Sequence, residues 1–465
     1  MIKYDKIHVR VISGYYQRIR GYLALALYGT FFLLPWVDIA GRQSVLFDFV
    51  HQKFFILNAV FFPKDLLFLT WGLMLGAFFL FAITNILGRV WCGFACPQTI
   101  WTLAFIWVEN KIEGSANTRA KWQSKPLRDP NRVARRVLKH LVWALMAIAT
   151  GATFVAYFYP AKAIYDGLIN ANLPMGVWVG GGIFAYLTYL NAGLLREKVC
   201  LHMCPYSRFQ SVMYDADTIA VAYDPAVGEP RRSLKQSSKQ ASKQVQTNQA
   251  AGGCIDCSMC VQVCPTGIDI REGSQIDCIN CGLCIDACDS VMASIGRPPE
   301  LIRFTSQTAL AGGKSSVLRP RSVGYFSAVF AAVFMLTLHF VTSSDIDTSI
   351  VRERDRIVRY TASGDVTNAY LLKLKNKAQE TLQFDVEVES EGFRIISNAH
   401  ASLPGGERVE LPIVVASTEQ LRGSYPVQFV VKGVDAAGTV REDVHVGRFV
   451  IADDGTIAAI GPAQR

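Results

Sequence analysis

The chain has 465 residues, 51% of them hydrophobic and 18% charged, with a formal net charge of +9. So large an apolar share excludes a disordered chain and points to a membrane protein with more than one domain. The basic excess lies beside apolar runs, which fits loops facing anionic lipid and speaks against a nucleic-acid surface.

Residues 1–21 are polar and basic. Tyr22 to Ile39 carries only Asp38 as a charge and reads as a first membrane helix, with Trp36 at an interface. Leu66 to Leu87 is uncharged and reads as the second span. Residues 88–136 are rich in Arg and Lys, the mark of a cytoplasmic loop. Leu138 to Tyr159 is the third span, stopped by Pro160. Val177 to Leu195 is the fourth, with Gly180, Gly181 and Gly182 permitting close helix packing. Val323 to Val341 is the fifth, with His339 near its end. Basic loops on alternating sides place the N-terminus inside and the C-terminus outside. No apolar run is followed by a small-residue cleavage site, so no removable signal peptide is expected.

These landmarks divide the chain. Residues 1–227 read as a membrane domain of two helical hairpins, and 228–253 as a polar, low-complexity linker. Residues 254–300 are a cysteine-rich domain, and 301–345 a linker with the fifth helix. Residues 346–465 change character. Short alternating stretches appear at 369–375, 383–389, 408–415, 425–432 and 445–451, with turn residues at 403–406 and 435–438. Period two with regular turns predicts an antiparallel immunoglobulin-like β-sandwich, here without cysteine.

Twelve cysteines are present. Eight lie between Cys254 and Cys288 in two runs of one spacing. The first is Cys254-x2-Cys257-x2-Cys260-x3-Cys264, followed by Pro265. The second is Cys278-x2-Cys281-x2-Cys284-x3-Cys288, followed by Asp289. This is the spacing of a bacterial two-cluster ferredoxin, in which the fourth cysteine of each run serves the other cluster. It assigns Cys254, Cys257, Cys260 and Cys288 to one [4Fe-4S] cluster, and Cys278, Cys281, Cys284 and Cys264 to the second. Zinc favours two separated C-x2-C pairs. A disulfide framework needs an oxidising compartment, whereas the loop charges place this segment in the cytoplasm.

The other four cysteines form two matching C-x3-C-P motifs, Cys92/Cys96 with Pro97 and Cys200/Cys204 with Pro205. Each follows a span and leads into an apolar segment, at 98–108 and 206–214. Whether 98–108 re-enters the membrane stays open. Two hairpins, each ending in the motif, read as an internal repeat. Proline disfavours a helical residue before it and fits the first helical position. Cys96 and Cys204 are therefore expected at helix N-termini, where the dipole and the nearby Arg89, Lys198 and Arg208 favour thiolate. Paired thiolates suit a soft ion such as Cu(I), and His202 and Met203 add further donors. The competing readings are buried apolar cysteines or a third iron–sulfur centre. His140 and His339 stand near opposite ends of their spans, which argues against a haem between them.

Taken together, WCGFACP, CLHMCPYSRFQ, CIDCSMCVQVCPTGIDIREG and CINCGLCIDACD, in this order and with this span pattern, resemble the cytochrome c oxidase accessory protein family (CcoG, FixG, RdxA) along the whole chain. The resemblance implies a multi-pass bacterial inner-membrane protein with a periplasmic C-terminal domain. It also implies a role in assembling a cbb-type oxidase by reducing Cu(II) to Cu(I), with Cys92, Cys96, Cys200 and Cys204 as copper or redox thiolates. Its partners would be oxidase subunits or a copper chaperone, and a cytoplasmic electron donor. Two other functions compete: a quinone-linked electron-transfer subunit, and a non-catalytic assembly scaffold.

Overall fold

The computed structural model describes residues 7–39, 41–57, 59–123, 129–231, 252–353, 359–361, 365–378, 380–417 and 423–451. It forms two compact units. The first comprises Met1–Asn58 and Pro63–Thr337, the second Ala59–Phe62 and Leu338–Arg465.

Among the described residues, five helices have the length and apolar composition to cross a bilayer: Tyr15–Trp36, Leu66–Leu87, Val90–Glu113, Pro130–Val155 and Pro320–Thr342. The count matches the sequence expectation, but the membership does not. Val90–Glu113 is the newcomer. It runs through the first C-x3-C-P motif and breaks only at Ala95 and Cys96, between helices Val90–Phe94 and Pro97–Glu113. The expected span 177–195 is instead an α-helix over Met175–Thr188 that continues as a π-helix over Tyr189–Leu195.

Helix bounds also move. The first helix begins at Tyr15, not Tyr22, and ends before Ile39, which lies in a short strand. The third expected span starts at Pro130, where the Asp129 carboxylate accepts from Asn131 N at 3.0 Å. Charges end an apolar run, but they do not end a helix that has a good N-cap.

Glycine sets the approach of the second hairpin. A β-carbon on Gly151 would fall 2.3 Å from the Gly181 carbonyl oxygen. The backbones of Pro130–Val155 and Met175–Thr188 therefore touch there. One turn on, the rings of Phe154 and Phe184 stack 3.8 Å apart and nearly parallel.

The cysteine-rich body extends beyond residues 254–300. Strand Ala220–Tyr223 pairs antiparallel with Ile302–Thr305 and closes it. Most of the expected linker, 232–251, lies outside the described residues. Its ends meet: Gly253 N donates to Val227 O at 2.7 Å, and Cys254 N donates to Gly228 O at 3.2 Å.

The second unit is a two-sheet sandwich. In one sheet, Val366–Asn376 lies between Ile346–Arg352 and Arg408–Ser417, with Phe393–Ile395 beyond the latter. In the other, Leu382–Val388 and Gly423–Val434 are central, flanked by His400–Leu403 and Val440–Ile451. All five expected strands are present; four are longer than their alternating cores, and the one expected at 383–389 has the same length and begins one residue earlier, as Leu382–Val388. Period two is visible in the burial: Tyr370, Leu372 and Leu374 face Phe384, Val386, Phe429 and Val431 inside the sandwich.

Candidate functional site

The two cysteine runs fold alike. Asp256 and Ser258 have φ of 54° and 55°; Asn280 and Gly282 have φ of 50° and 72°. These are the second and fourth residues after the leading cysteine in both runs. Left-handed residues there turn successive N–H groups toward one concavity, the backbone form of an anion nest. A helix follows each, Met259–Gln262 and Leu283–Ser294, so that Cys260 and Cys284 lie in first turns.

Two cavities result. One is lined by Cys254, Cys257, Cys260 and Cys288. The other is lined by Cys264, Cys278, Cys281 and Cys284, with Cys260 at the wall between. The sulfurs surround a cavity. Among the described residues, no three His, Cys, Asp or Glu side chains close on a single ion. Eight thiols around two nest-lined cavities fit two [4Fe-4S] clusters. Burial pushes the bare thiols up: Cys260 to about 11, Cys278 and Cys288 to about 12. Iron must therefore displace protons to bind here.

Arg271 stitches the first run. Its guanidinium bonds Asp269 through Nε–Oδ1 at 2.8 Å and Nη2–Oδ2 at 2.6 Å, and Asp256 Oδ1 at 2.6 Å. These bonds hold the Asp269 carboxyl below the usual carboxylate range.

This body docks on the membrane helices through specific contacts. The Asp286 carboxylate accepts from Tyr16 N at 3.1 Å and Gln17 N at 2.8 Å, capping the helix Tyr15–Leu33. Asn280 Nδ2 donates to Leu87 O at 3.3 Å. Buried Arg20 donates from Nε to Gly93 O at 3.0 Å. Gly93 itself, inside the first C-x3-C-P motif, lies on the second cysteine run. A β-carbon there would fall 2.7 Å from Ile279 O and 2.8 Å from Cys281 Cα. Cys92 packs into the same apolar cluster as Ile279 and Cys281.

Cys96 and Cys204 are the N-cap residues of helices Pro97–Glu113 and Pro205–Met213, each with proline at the first helical position. Neither sulfur accepts a capping hydrogen bond from the first turn that follows it. The two motifs meet. The four thiols lie within electrostatic reach of one another. Cys92 Sγ donates to Gln210 Oε1 at 3.5 Å, and buried Arg89 bonds the Ser207 carbonyl. Cys200 departs from the thiolate expectation. It lies in a π-helix, Val199–Met203, and burial together with the other three thiols pushes it up to about 12. His202 and Met203 are exposed.

One constellation escaped the sequence reading. Glu109, fully buried, accepts from Arg119 Nη1 at 2.5 Å and Arg196 Nη2 at 2.9 Å, with Lys139 Nζ at 3.5 Å. Lys139 also meets Glu113 at 2.8 Å. Trp143, also fully buried, has Lys139 and Arg196 against its ring at 4.8 and 5.3 Å. The cluster ties the helix behind Cys96 to the turn before Cys200. Its only sequence signal is charge inside an otherwise apolar stretch, which reads equally well as a loop.

Comparison with known proteins finds iron–sulfur domains over the same segments. Residues 195–307 match a 4Fe-4S dicluster domain, 67–112 a 4Fe-4S binding domain, and 336–450 the IG-like fold at the C-terminal of FixG. The chain is 31% identical to nitrogen fixation protein FixG of Rhizobium meliloti over 88% of its own length and 84% of FixG. It is 32% identical to protein RdxA of Cereibacter sphaeroides, covering 90% of the chain and 88% of RdxA. Protein RdxB of the same organism is also 32% identical, over 85% of the chain and 84% of RdxB. A FixG-related crystal structure from Vibrio parahaemolyticus is 20% identical with a TM-score of 0.20, covering 23% of this chain and 97% of that one. On the strength of the near full-length matches to FixG, RdxA and RdxB, the chain belongs to the FixG/RdxA family of iron–sulfur membrane proteins.

Proposed function

We propose that this chain is a membrane oxidoreductase that reduces Cu(II) to Cu(I) for assembly of a cbb-type cytochrome c oxidase. One observation carries the reading: Gly93 and Cys92 of the first C-x3-C-P motif pack directly on Cys281. Cys254, Cys257, Cys260 and Cys288 would hold one [4Fe-4S] cluster, and Cys264, Cys278, Cys281 and Cys284 the other. When bound, these clusters supply one-electron redox chemistry. The chain's own residues do the rest. The missing side chain at Gly93 lets the two loops touch, and Arg20 and Asn280 hold them in register. Cys92, Cys96, Cys200 and Cys204 offer soft sulfur to copper, the substrate, and such donors favour the Cu(I) product. Each ion gains one electron from a reduced donor on the cytoplasmic side. In this reading the cysteine-rich body faces the cytoplasm and the sandwich the periplasm, the orientation that the positive-inside rule expects from the basic loops.

The test replaces all four motif cysteines by alanine. Cu(I) is then followed with a chromogenic Cu(I) chelator, using dithionite as the donor. Loss of reduction with cluster iron retained supports the reading; an unchanged rate with full iron overturns it.

The match of 67–112 to a 4Fe-4S binding domain favours a second reading. That segment holds only Cys92 and Cys96, and the converging Cys200 and Cys204 complete a four-thiol set for a third cluster. Iron analysis separates the two readings: about twelve irons per chain for three clusters, about eight for two.

A further inference from the structure

The first unit contains a second large cavity, of about 600 Å³, that the copper reading does not use. It lies among the helices Tyr15–Leu33, Pro97–Glu113, Pro130–Val155 and Met175–Thr188, and the π-helix Tyr189–Leu195. Its size suits a single small ligand. Ala95 and Pro97, the neighbours of Cys96, form part of its wall.

The walls are aromatic. Phe154 and Phe184 present a parallel stack, and Phe31 and Trp101 meet edge to face at 5.3 Å. Flat walls of this kind favour a planar ring in offset or edge contact. Polar side chains stand among them: the hydroxyls of Thr30, Thr150, Thr188 and Tyr157 donate to backbone carbonyls, which leaves the amides of Gln98 and Asn191 to consider. Gln98 spends its Nε2 on Asn191 O at 3.0 Å, Arg196 O at 3.3 Å and Thr102 Oγ1 at 3.4 Å, which leaves Oε1 without a donor among the described residues. The Asn191 side-chain amide has no hydrogen-bond partner among them. Asn191 sits in the π-helix, an interruption that recurs at functional sites.

An amide donor and an amide acceptor in an aromatic, membrane-embedded cavity define the ligand. A fatty acyl chain would leave both groups unpaired, which apolar surroundings penalise. A quinone ring satisfies them: a carbonyl accepts from Asn191 Nδ2, and in the reduced form a hydroxyl donates to Gln98 Oε1. Leu27 and Leu187, partly exposed on the rim, would pass an isoprenoid tail to the lipid. We infer that this cavity binds the ring of an isoprenoid quinone. Occupancy needs no copper, and no chemical step is assigned to it.

The experiment uses the full chain in nanodiscs with a photoreactive azido-quinone, competed by decylubiquinone. The expected result is saturable labelling of peptides 95–101 or 184–192, abolished by excess decylubiquinone. Asn191→Leu should weaken labelling at least tenfold, with cluster iron and copper reduction from dithionite unchanged. Phe184→Ala provides a second variant with the same expectation, should Asn191→Leu fail to accumulate. Labelling elsewhere, labelling that does not saturate, or equal labelling in a folded Asn191→Leu chain overturns the proposal. So does a tightly held phospholipid in the cavity that decylubiquinone cannot displace. Loss of copper reduction in the four-cysteine variant with quinone labelling intact would leave both inferences standing. Normal labelling beside normal copper reduction in that variant would remove only the copper reading.

Discussion

Gly93 and Cys281 are packed so closely that a β-carbon on Gly93 would stand 2.8 Å from the Cys281 Cα. Nearly two hundred residues separate them in sequence. One belongs to a motif in the apolar helical region and the other to a ferredoxin-type loop. Their contact joins the first C-x3-C-P motif to the second cysteine run without an intervening side chain.

Replacing Gly93 tests that contact. Gly93→Val must push the loops apart, with an overpacking cost of roughly 1–3 kcal/mol. The clusters are expected to remain, because no ligand changes. Copper reduction from dithionite should fall by about a hundredfold, the penalty a misplacement near 1 Å can exact. Iron content and the reduction rate, measured on one sample, check this. Loss of iron in step with rate would mean that Gly93 serves folding alone.

The crossed ligand assignment predicts which variants resemble each other. Cys288→Ser should perturb the same EPR signal as Cys254→Ser, and Cys264→Ser the same signal as Cys278→Ser. Pairing by sequence run instead would match Cys288 with Cys278.

Glu109 holds Arg119 and Arg196 in a buried site. Glu109→Gln leaves cationic groups there without their counter-charge. Breaking a buried pair from one side costs about 3–5 kcal/mol. The expected outcome is a clear drop in the melting temperature in detergent, together with weakened reduction, since Arg196 precedes the Cys200 motif. An unchanged melting curve would show that the site is hydrated.

The cysteine-rich body has a pH signature when iron is removed. Burial disfavours the thiolate and pushes Cys278 and Cys288 up from the ordinary 9.0 to about 12 in the folded chain. The unfolded chain releases these protons first as pH rises. The contribution of these thiols to the stability of the iron-free protein is therefore full below about pH 9 and is lost progressively above it, toward 12. Melting temperatures from pH 7 to about 10.5 should fall for the iron-free form. In the loaded form these sulfurs carry no proton to lose, and their contribution should be flat.

Docking through Asp286 predicts a milder effect. Asp286→Ala removes the carboxylate that accepts from Tyr16 and Gln17 N–H. Loss of such a cap costs about 0.5–2 kcal/mol. Hydrogen exchange at residues 15–18 should quicken, with the clusters intact.

What the chain determines by itself is local. A cubane is rigid, so the x2-x2-x3 spacing of Cys254–Cys264 and Cys278–Cys288 marks candidate ligands without a fold. Pro97 and Pro205 place Cys96 and Cys204 at helix starts, because proline restricts the residue before it and has no N–H to lose. Strands such as 369–375 show as alternation, because one face of a sandwich is wet and the other dry. Apolar runs mark most of the membrane helices, though not their ends.

Tertiary structure decided the remainder. Val90–Glu113 joined the long apolar helices because Glu109 and Glu113 find Arg119, Lys139 and Arg196 across space. Read along the chain, those charges mark a loop. Met175–Leu195 changes from α to π at Tyr189, four residues before Gly193, and no proline gives notice. The meeting of Cys92 and Cys96 with Cys200 and Cys204, and of Gly93 with Cys281, depends on which helices pack together. Packing is set by shape and burial between distant segments, which a one-dimensional pattern does not record.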